Sequence, residues 1–316
     1  MGSSESKHFQ YTGGEGVYDE DLRSYKPVAP NDVKTVEIDP SVKEIGKRAF
    51  WRCKNLKYIV IPEGVQAVGE YAFQECEKLS TVTLPTTIKQ IKEGAFRHCK
   101  RLRSIAIPEG VEVVDNGIFS SCDNLVHVKL PSTLKKIESY VFYECKSMQM
   151  IKVPEGTEVI GEGAFSYCDR LKVVELPPSV KKIGRVAFDK CDSLTRVTLP
   201  LVSHVFEYDL FKDKKSLTKI IFSSCPSELQ TEPVEGNTPL HLCVIKDYPS
   251  AFVAHFVERY PSVLKQRNTL GQTPLHLCLF NKVSVDVTKV IFDAWPEAVS
   301  ATDELSKTPL DYWREK

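Results

Sequence analysis

The stretch Phe119-Ser-Ser-Cys122-Asp-Asn-Leu125-Val-His-Val128-Lys-Leu130-Pro131 decides the fold, because the same pattern returns 23 residues away in either direction. Phenylalanine recurs at positions 50, 73, 96, 119, 142, 165, 188 and 211, and cysteine at positions 53, 76, 99, 122, 145, 168 and 191. A fixed period of this length predicts a solenoid of stacked coils. No single coil can bury its own apolar side chains, so each coil has to pack against the next.

Each coil divides into two halves. Apolar residues at offsets 0, 3 and 5, such as Leu125, Val128 and Leu130, predict one short strand, and the set recurs nine times between residues 33 and 222. The proline that follows most strands ends the hydrogen-bonding ladder. In the second half, phenylalanine and cysteine three residues apart predict one helical turn, and the glycines at 46, 69, 161 and 184 predict left-handed corners.

The combined pattern Leu-x-x-Val-x-Leu-Pro, Val-x-x-Ile-Gly and Ala-Phe-x-x-Cys resembles the BspA-type leucine-rich repeats. The resemblance covers about residues 33–222 and implies a right-handed solenoid that binds other macromolecules and catalyses nothing. The predicted fold class is therefore an α/β repeat solenoid. Its leucine-rich repeat array of about nine 23-residue coils occupies residues 33–224 and is followed by a short α-helical module.

The amino-terminal residues do not continue the repeat, since counting back 23 from Phe50 and Cys53 gives Pro27 and Pro30. We expect residues 1–7 to form a disordered tail and residues 8–32 to cap the first coil. The Met-Gly start with Ser6 fits the N-myristoylation pattern with Gly2 as acceptor. An unmodified start that is rich in small residues would match the same pattern. A single acyl chain would anchor the chain only weakly to a membrane.

A second period follows a predicted linker at residues 225–234. Thr238-Pro-Leu-His241, Thr273-Pro-Leu-His276 and Thr308-Pro-Leu-Asp311 are spaced by 35 residues, and Thr-Pro-Leu-His resembles the ankyrin signature. Residues 235–316 are thus predicted to hold two ankyrin-like units and a partial third, although the ankyrin period is 33 residues. The histidines could be read as a metal pair, but we expect them to hydrogen-bond the backbone of a neighbouring repeat.

Composition restricts the function. The 42 basic and 42 acidic residues balance, which argues against nucleic acid as the main partner. One cysteine per coil indicates a buried packing position, because zinc needs four converging ligands. No apolar run is long enough to span a membrane, and no secretory signal is evident, so we expect the cytoplasm and reduced thiols. No catalytic, cofactor-binding or metal-binding motif is present, so the sequence predicts no enzyme.

The variable strand positions should point away from the core and carry the function. Exposed apolar residues beside charges are typical of an interface, although single surface apolar residues need no explanation. The candidate protein-binding residues are Tyr58, Val60, Ala106, His127, Lys129, Met150, Lys152, Val173 and Arg196. The favoured function is a monomeric, non-enzymatic scaffold that binds protein partners through the concave sheet and the ankyrin groove. A secreted or cell-surface adhesin and a self-assembling structural element are the alternatives.

Overall fold

The computed structural model describes residues 7–20, 24–200, 219–222, 237–245, 248 and 250–314. The chain divides into two compact units, Met1–Ser193 and Leu194–Lys316. Gly2 and the predicted linker at 225–234 lie outside the described residues.

Short strands recur along the chain. In order they are β1 (His8–Tyr11), β2 (Val17–Asp19), β3 (Ser24–Lys26), β4 (Thr35–Ile38), β5 (Glu44–Ile45), β6 (Tyr58–Val60), β7 (Ala67–Val68), β8 (Thr81–Thr83), β9 (Gln90–Ile91), β10 (Ser104–Ala106), β11 (Val113–Val114), β12 (His127–Lys129), β13 (Lys136–Ile137), β14 (Met150–Lys152), β15 (Val159–Ile160), β16 (Val173–Glu175), β17 (Lys182–Ile183), β18 (Arg196–Leu199) and β19 (Lys219–Phe222). Nine of them, from β4 to β19, begin 23 residues apart and confirm the predicted strand positions.

Strands pair in parallel with the strand one coil away, at the same repeat position. Tyr58 lies opposite Thr81, and Ser104 opposite His127. Each coil of the first unit also carries a second strand of two residues, such as β7, which pairs with both β5 and β9. These short strands were not predicted, because two residues are too few to show a period.

The predicted helical turn is wrong. Ala72 N donates to Gly69 O at 3.2 Å and Cys76 N to Phe73 O at 3.2 Å, which are the bonds of successive tight turns. Between them, Tyr71 and Glu75 adopt left-handed φ values of 55° and 60°, which no right-handed helix allows. Within its described residues, the first unit is therefore a parallel β-solenoid whose strands are joined by turns, and the α/β class does not hold for it.

The corner glycines are needed for space rather than for a left-handed backbone. Gly46, Gly69, Gly161 and Gly184 are not among the residues with positive φ. A Cβ atom on Gly69 would lie 2.6 Å from the carbonyl oxygen of Ile45. The preceding coil passes so close that only hydrogen fits, and the predicted reason for these glycines is wrong.

The phenylalanine column forms a continuous stack inside the solenoid. Seven rings, from Phe50 to Phe188, lie at centroid separations of 5.0–5.9 Å and interplanar angles of 4–14°. All seven are fully buried. This spacing lies within the range of favourable aromatic pairs, so the stack contributes both burial and ring contact to stability.

Each thiol of the cysteine column is tied to the coil before it. From Cys76 to Cys191 the Sγ atom donates to the carbonyl oxygen of the phenylalanine 26 residues earlier, at 3.1–3.3 Å. Burial raises the pKa of Cys53 to about 12. The column therefore serves packing, and its thiols add a second hydrogen bond to carbonyls such as Phe96 O, which already accepts the turn bond from Cys99 N at 3.2 Å.

The amino-terminal segment supplies a substitute for a preceding coil. Strand β1 pairs in parallel with β4, and β2 and β3 form an antiparallel hairpin. Tyr11 lies 5.0 Å from the Phe50 ring and is fully buried. Its hydroxyl donates to Gly14 O at 2.7 Å and accepts from Gly46 N at 2.9 Å. Tyr11 thus covers the open end of the phenylalanine stack.

The second unit contains helical repeats. The helices are α1 (Pro239–Ile245), α2 (Ser250–Arg259), α3 (Pro274–Phe280), α4 (Val285–Ala294) and α5 (Pro309–Arg314), with 3-10 helices at Pro261–Lys265 and Pro296–Ser300. The helices α1, α3 and α5 pack in one row, and α2 packs on α4. Corresponding helices begin 35 residues apart, as the Thr-Pro-Leu pattern predicts.

Candidate protein-binding surfaces

The outward side chains of β6, β8, β10, β12 and β14 form a surface that we call the long-strand face. Tyr58 is 52% exposed, Val60 59% and Met150 54%, whereas the inward Ile59 and Ile151 between them are buried. Alternation along each strand produces this division, since neighbouring residues point to opposite sides of a sheet. Large apolar side chains are thus presented to solvent at both ends of the face.

Polar candidates lie between them. His127 and Lys129 stand on β12, opposite Ser104 and Ala106 of β10, and all four are exposed. Lys152 is exposed beside Met150 on β14. The parallel register of β10 and β12 therefore brings their candidates into two adjacent columns, and Met150 and Lys152 hold the same two repeat positions on β14.

The charge of the long-strand face is one-sided. The residue that precedes each strand adds a third column to the two on the strands, and these three columns, from residue 57 to residue 152, contain Lys57, Arg103, Lys129 and Lys152 and no aspartate or glutamate. A groove of about 750 Å³ beside these columns is lined by Lys57, Lys78, Arg101 and Arg103, together with polar residues. Because the whole chain is neutral, this local excess of cations favours a partner with an acidic surface.

Two candidates are less accessible than the sequence suggested. Val173 on β16 and Arg196 on β18 are half-buried, whereas Tyr58 and Met150 are exposed. Arg196 also belongs to the second compact unit. The exposed, cation-rich part of the long-strand face therefore ends at β14.

The histidines of the helical unit fix one repeat to the next. His241 Nδ1 accepts from Thr238 N at 3.3 Å, and its Nε2 donates to Gln272 O at 2.9 Å. His276 repeats this pattern with Thr273 N at 3.1 Å and Lys307 O at 3.1 Å. The predicted hydrogen bonds to a neighbouring backbone are confirmed. Burial lowers the pKa of His241 to about 4, against the opposing hydrogen bond to Gln272.

An apolar groove lies on the last helices of the same unit. It has a volume of about 730 Å³ and is lined by Cys278, Leu279, Lys282, Val283, Val285, Thr288, Lys289, Phe292 and Trp313. The equivalent residues one repeat earlier are covered: Val257 is 6% exposed where Phe292 is 42% exposed, and Cys278 is 1% exposed where Trp313 is 65% exposed. This groove is a second surface with the apolar character of an interface.

Neither a cluster of metal ligands nor a membrane-spanning helix occurs in the described ranges. No group of three or more His, Cys, Asp or Glu side chains there could hold a metal ion. Among the helices that the structure describes, none combines the length and apolar character that crossing a membrane requires.

Sequence reasoning missed a row of tyrosines on the turn side of the solenoid. Tyr71 and Tyr140 occupy the same repeat position three coils apart, and Gly94 and Gly117 fill that position between them. Alignment of the coils could have shown this alternation, but its meaning depends on the ring positions in the structure.

Fold and surfaces together define a leucine-rich repeat solenoid. The family model of the BspA type leucine-rich repeat region (6 copies) matches residues 29–149 and 135–241, so the chain belongs to this family. No curated protein matches the chain.

Parts of this chain are similar to solved structures. The Treponema pallidum leucine-rich repeat protein TpLRR is 30% identical over 48% of this chain and 71% of its own, with a TM-score of 0.45. A leucine-rich cell surface protein of Faecalibacterium prausnitzii A2-165 is 20% identical over 71% of this chain and 90% of its own, with a TM-score of 0.39.

Proposed function

We propose that this chain is a non-enzymatic, monomeric scaffold that binds protein partners through the long-strand face. The observation that carries the proposal is the exposure of Tyr58, Val60 and Met150 on a face whose charges are all cationic. Aromatic anchors surrounded by charge are typical of binding hot spots. The partner should present an acidic surface with an apolar centre.

The helical unit supplies the second surface. Its 35-residue period, its capping threonines and its histidine ties support an ankyrin-like module of two units and part of a third. The apolar groove around Phe292 and Trp313 is the second contact area. Two linked surfaces raise the effective concentration of a partner even when each binds weakly.

The test is affinity capture from cells of the source organism followed by mass spectrometry. Tyr58→Ala/Met150→Ala removes the anchors, and Lys129→Glu/Lys152→Glu reverses the charge of the face. Both variants should lose the same partner. Val113→Ala is the matched control, because Val113 is 39% exposed on the short strand β11. Equal capture by all variants would reject the long-strand face as the binding surface.

The alternatives make different predictions. Nine described cysteines are free and buried, which supports a reducing compartment such as the cytoplasm over a secreted adhesin. Fractionation of cells that express the tagged chain tests this, and recovery from the cell surface would favour the adhesin. Sedimentation at several concentrations tests self-assembly, since a concentration-dependent increase in mass would replace the monomer. Mass spectrometry of the amino terminus tests acylation of Gly2.

A further inference from the structure

A slot on the turn side of the first unit is the strongest feature that protein binding on the long-strand face leaves unexplained. Its volume is about 390 Å³, within the range of roughly 300–1,000 Å³ typical of small-molecule sites. The lining residues are Tyr71, Glu93, Gly94, Arg97, Asn116, Gly117, Ser120, Ser139, Tyr140 and Tyr143.

The slot arises from one repeat position, which we call the corner column and which holds residues 48, 71, 94, 117, 140, 163 and 186. Every residue in it has a left-handed φ, from 50° at Val186 to 59° at Gly94. The column therefore accepts Arg48, Tyr71 and Val186 at the same backbone geometry as glycine. The left-handed φ at position 117 therefore does not by itself require glycine there.

Two tyrosines of the corner column lean in the same direction. A Cβ atom on Gly94 would lie 2.3 Å from the Tyr71 ring, and one on Gly163 would lie 2.5 Å from the Tyr140 ring. At Gly117 a Cβ atom would meet only the Cβ of Ser120, at 3.8 Å. One coil of the column is thus left open between the two rings.

The same tyrosine position is covered in one case and open in the other. The Arg48 guanidinium stacks on Tyr71 at 4.9 Å and on Tyr25 at 3.7 Å. The residue one coil before Tyr140 is Gly117, so no equivalent side chain covers Tyr140, which is 42% exposed. Tyr143 packs edge-on against Tyr140 at 5.9 Å and extends this wall.

Some polar groups of the slot lack partners among the described residues, whereas Asn116 Oδ1 already accepts from Ser139 N at 3.1 Å and Glu93 Oε1 accepts from the Tyr71 hydroxyl. Ser120 is 3% exposed, and its hydroxyl makes no hydrogen bond to any residue that the structure describes. The Arg97 guanidinium likewise has no carboxylate partner within the described ranges. Ser120 lines the slot, so its hydroxyl is available there to donate to and accept from a polar ligand.

We propose that this slot binds a pyranose sugar ring, which stacks on Tyr140 and hydrogen-bonds through its hydroxyls to Ser120, Asn116 and Arg97. Hydroxyls both donate and accept, which suits a site that offers Asn116 and Ser120 beside the Glu93 carboxylate. A cationic ligand could stack on Tyr140 as Arg48 stacks on Tyr71. The positive charge of Arg97 would repel such a ligand. A peptide aromatic ring would leave the Ser120 hydroxyl unsatisfied.

The test is saturation-transfer-difference NMR on the full chain. The probes are the methyl glycosides of glucose, galactose, mannose and N-acetylglucosamine at millimolar concentration, with N-acetyltyrosine amide and N-acetylarginine amide as the peptide-like alternatives. At least one glycoside should receive saturation from the wild type, and neither amide should. Saturation of an amide alone, or of no probe, would overturn the proposal.

Gly117→Arg provides the blocking variant, because Arg48 already precedes Tyr71 in this way. The transfer should fall at least tenfold. Val186→Arg makes the same substitution in the corner column outside the slot and should leave the transfer unchanged. Ser120→Ala, which fills no space, should weaken it about fivefold to tenfold if a hydrogen bond is lost. Transfer that persists in Gly117→Arg would contradict binding in the slot. Loss of protein binding on the long-strand face would leave this result unaffected.

Discussion

The coils of the first unit and the helical repeats of the second use different side chains for the hydrogen bond that joins one repeat to the next. In both, a backbone carbonyl that already accepts one amide hydrogen bond receives a second hydrogen bond from a single side chain of the adjacent repeat, as Phe96 O does beyond its bond from Cys99 N and Gln272 O beyond its bond from Asn268 N. The coils use a thiol, as in Cys122 to Phe96 O at 3.2 Å, and the helices use an imidazole, as in His241 to Gln272 O at 2.9 Å. A thiol is a weak donor, so the coils depend on ring stacking, whereas the helical unit depends on a group that titrates.

The last helical unit shows what the imidazole contributes. Asp311 stands where histidine stands in the other two units, and its Oδ2 accepts from Thr308 N at 2.8 Å. Asp311 therefore keeps the inward capping bond, but as a carboxylate it has no hydrogen to donate to a further carbonyl. The histidine therefore has two separate functions: its Nδ1 accepts a hydrogen bond within its own repeat, and its Nε2 donates one to the next repeat.

The largest expected effect is in the phenylalanine stack. Phe119→Ala removes a fully buried ring between Phe96 and Phe142 and should lower the free energy of unfolding by about 3–5 kcal/mol. Urea unfolding of a Trp295→Phe/Trp313→Phe background measures this, since Trp51 then reports the coils alone. An effect no larger than that of Val113→Ala on the exposed side would show that the stack is not the main support.

Acid should lower the stability of the helical unit more than that of the coils. The folded pKa of His241 lies near 4, below its ordinary value, so the unfolded chain binds the proton more readily and stability is full only above about pH 6.5. Between pH 6.5 and 4 the helical unit should lose about 3 kcal/mol. Urea unfolding of Trp51→Phe, which leaves Trp295 and Trp313 as reporters, should show a falling midpoint that His241→Gln reduces. His127→Asn is the exposed control, and an identical pH profile in the two variants would contradict the imidazole tie.

Much of this comparison was visible in the sequence, because an inward residue has to recur at the period of the coil. Phe119, Cys122 and the strand residue Val128 were placed correctly on that basis. The turns were not, since the residues between them that reverse the backbone, Tyr71 and Glu75, are not glycine. The slot at Gly117 also escaped, because it depends on the direction in which Tyr71 and Tyr140 lean.

Loss of one thiol should have a moderate effect. Cys122→Ala removes one of the two hydrogen bonds that Phe96 O accepts, leaving that from Cys99 N, and opens a small cavity, which together should cost about 1–3 kcal/mol. Iodoacetamide should not label Cys122 in the native chain, since burial raises its pKa far above the ordinary value. Peptide mass spectrometry before and after unfolding measures the labelling. Rapid native labelling would contradict a buried column.

The smallest effect should be a gain. Val186 is a β-branched residue at φ 50°, and Val186→Gly should relieve strain and raise the free energy of unfolding by about 1 kcal/mol. Gly117→Val is the reciprocal change in the corner column and should lower it by a similar amount. The Trp51 reporter follows both variants, and a loss on Val186→Gly would show that its side chain contributes more by packing than it costs in strain.

One equilibrium-unfolding measurement tests most directly whether the inward columns support the fold and the outward columns do not. Tyr58→Ala/Met150→Ala truncates two side chains that are 52% and 54% exposed. In the Trp51 reporter background its urea midpoint and slope should coincide with those of the parent, because neither side chain supports the stack. A midpoint lowered as far as that of Phe119→Ala would contradict the division, since the long-strand face would then belong to the fold rather than to a partner.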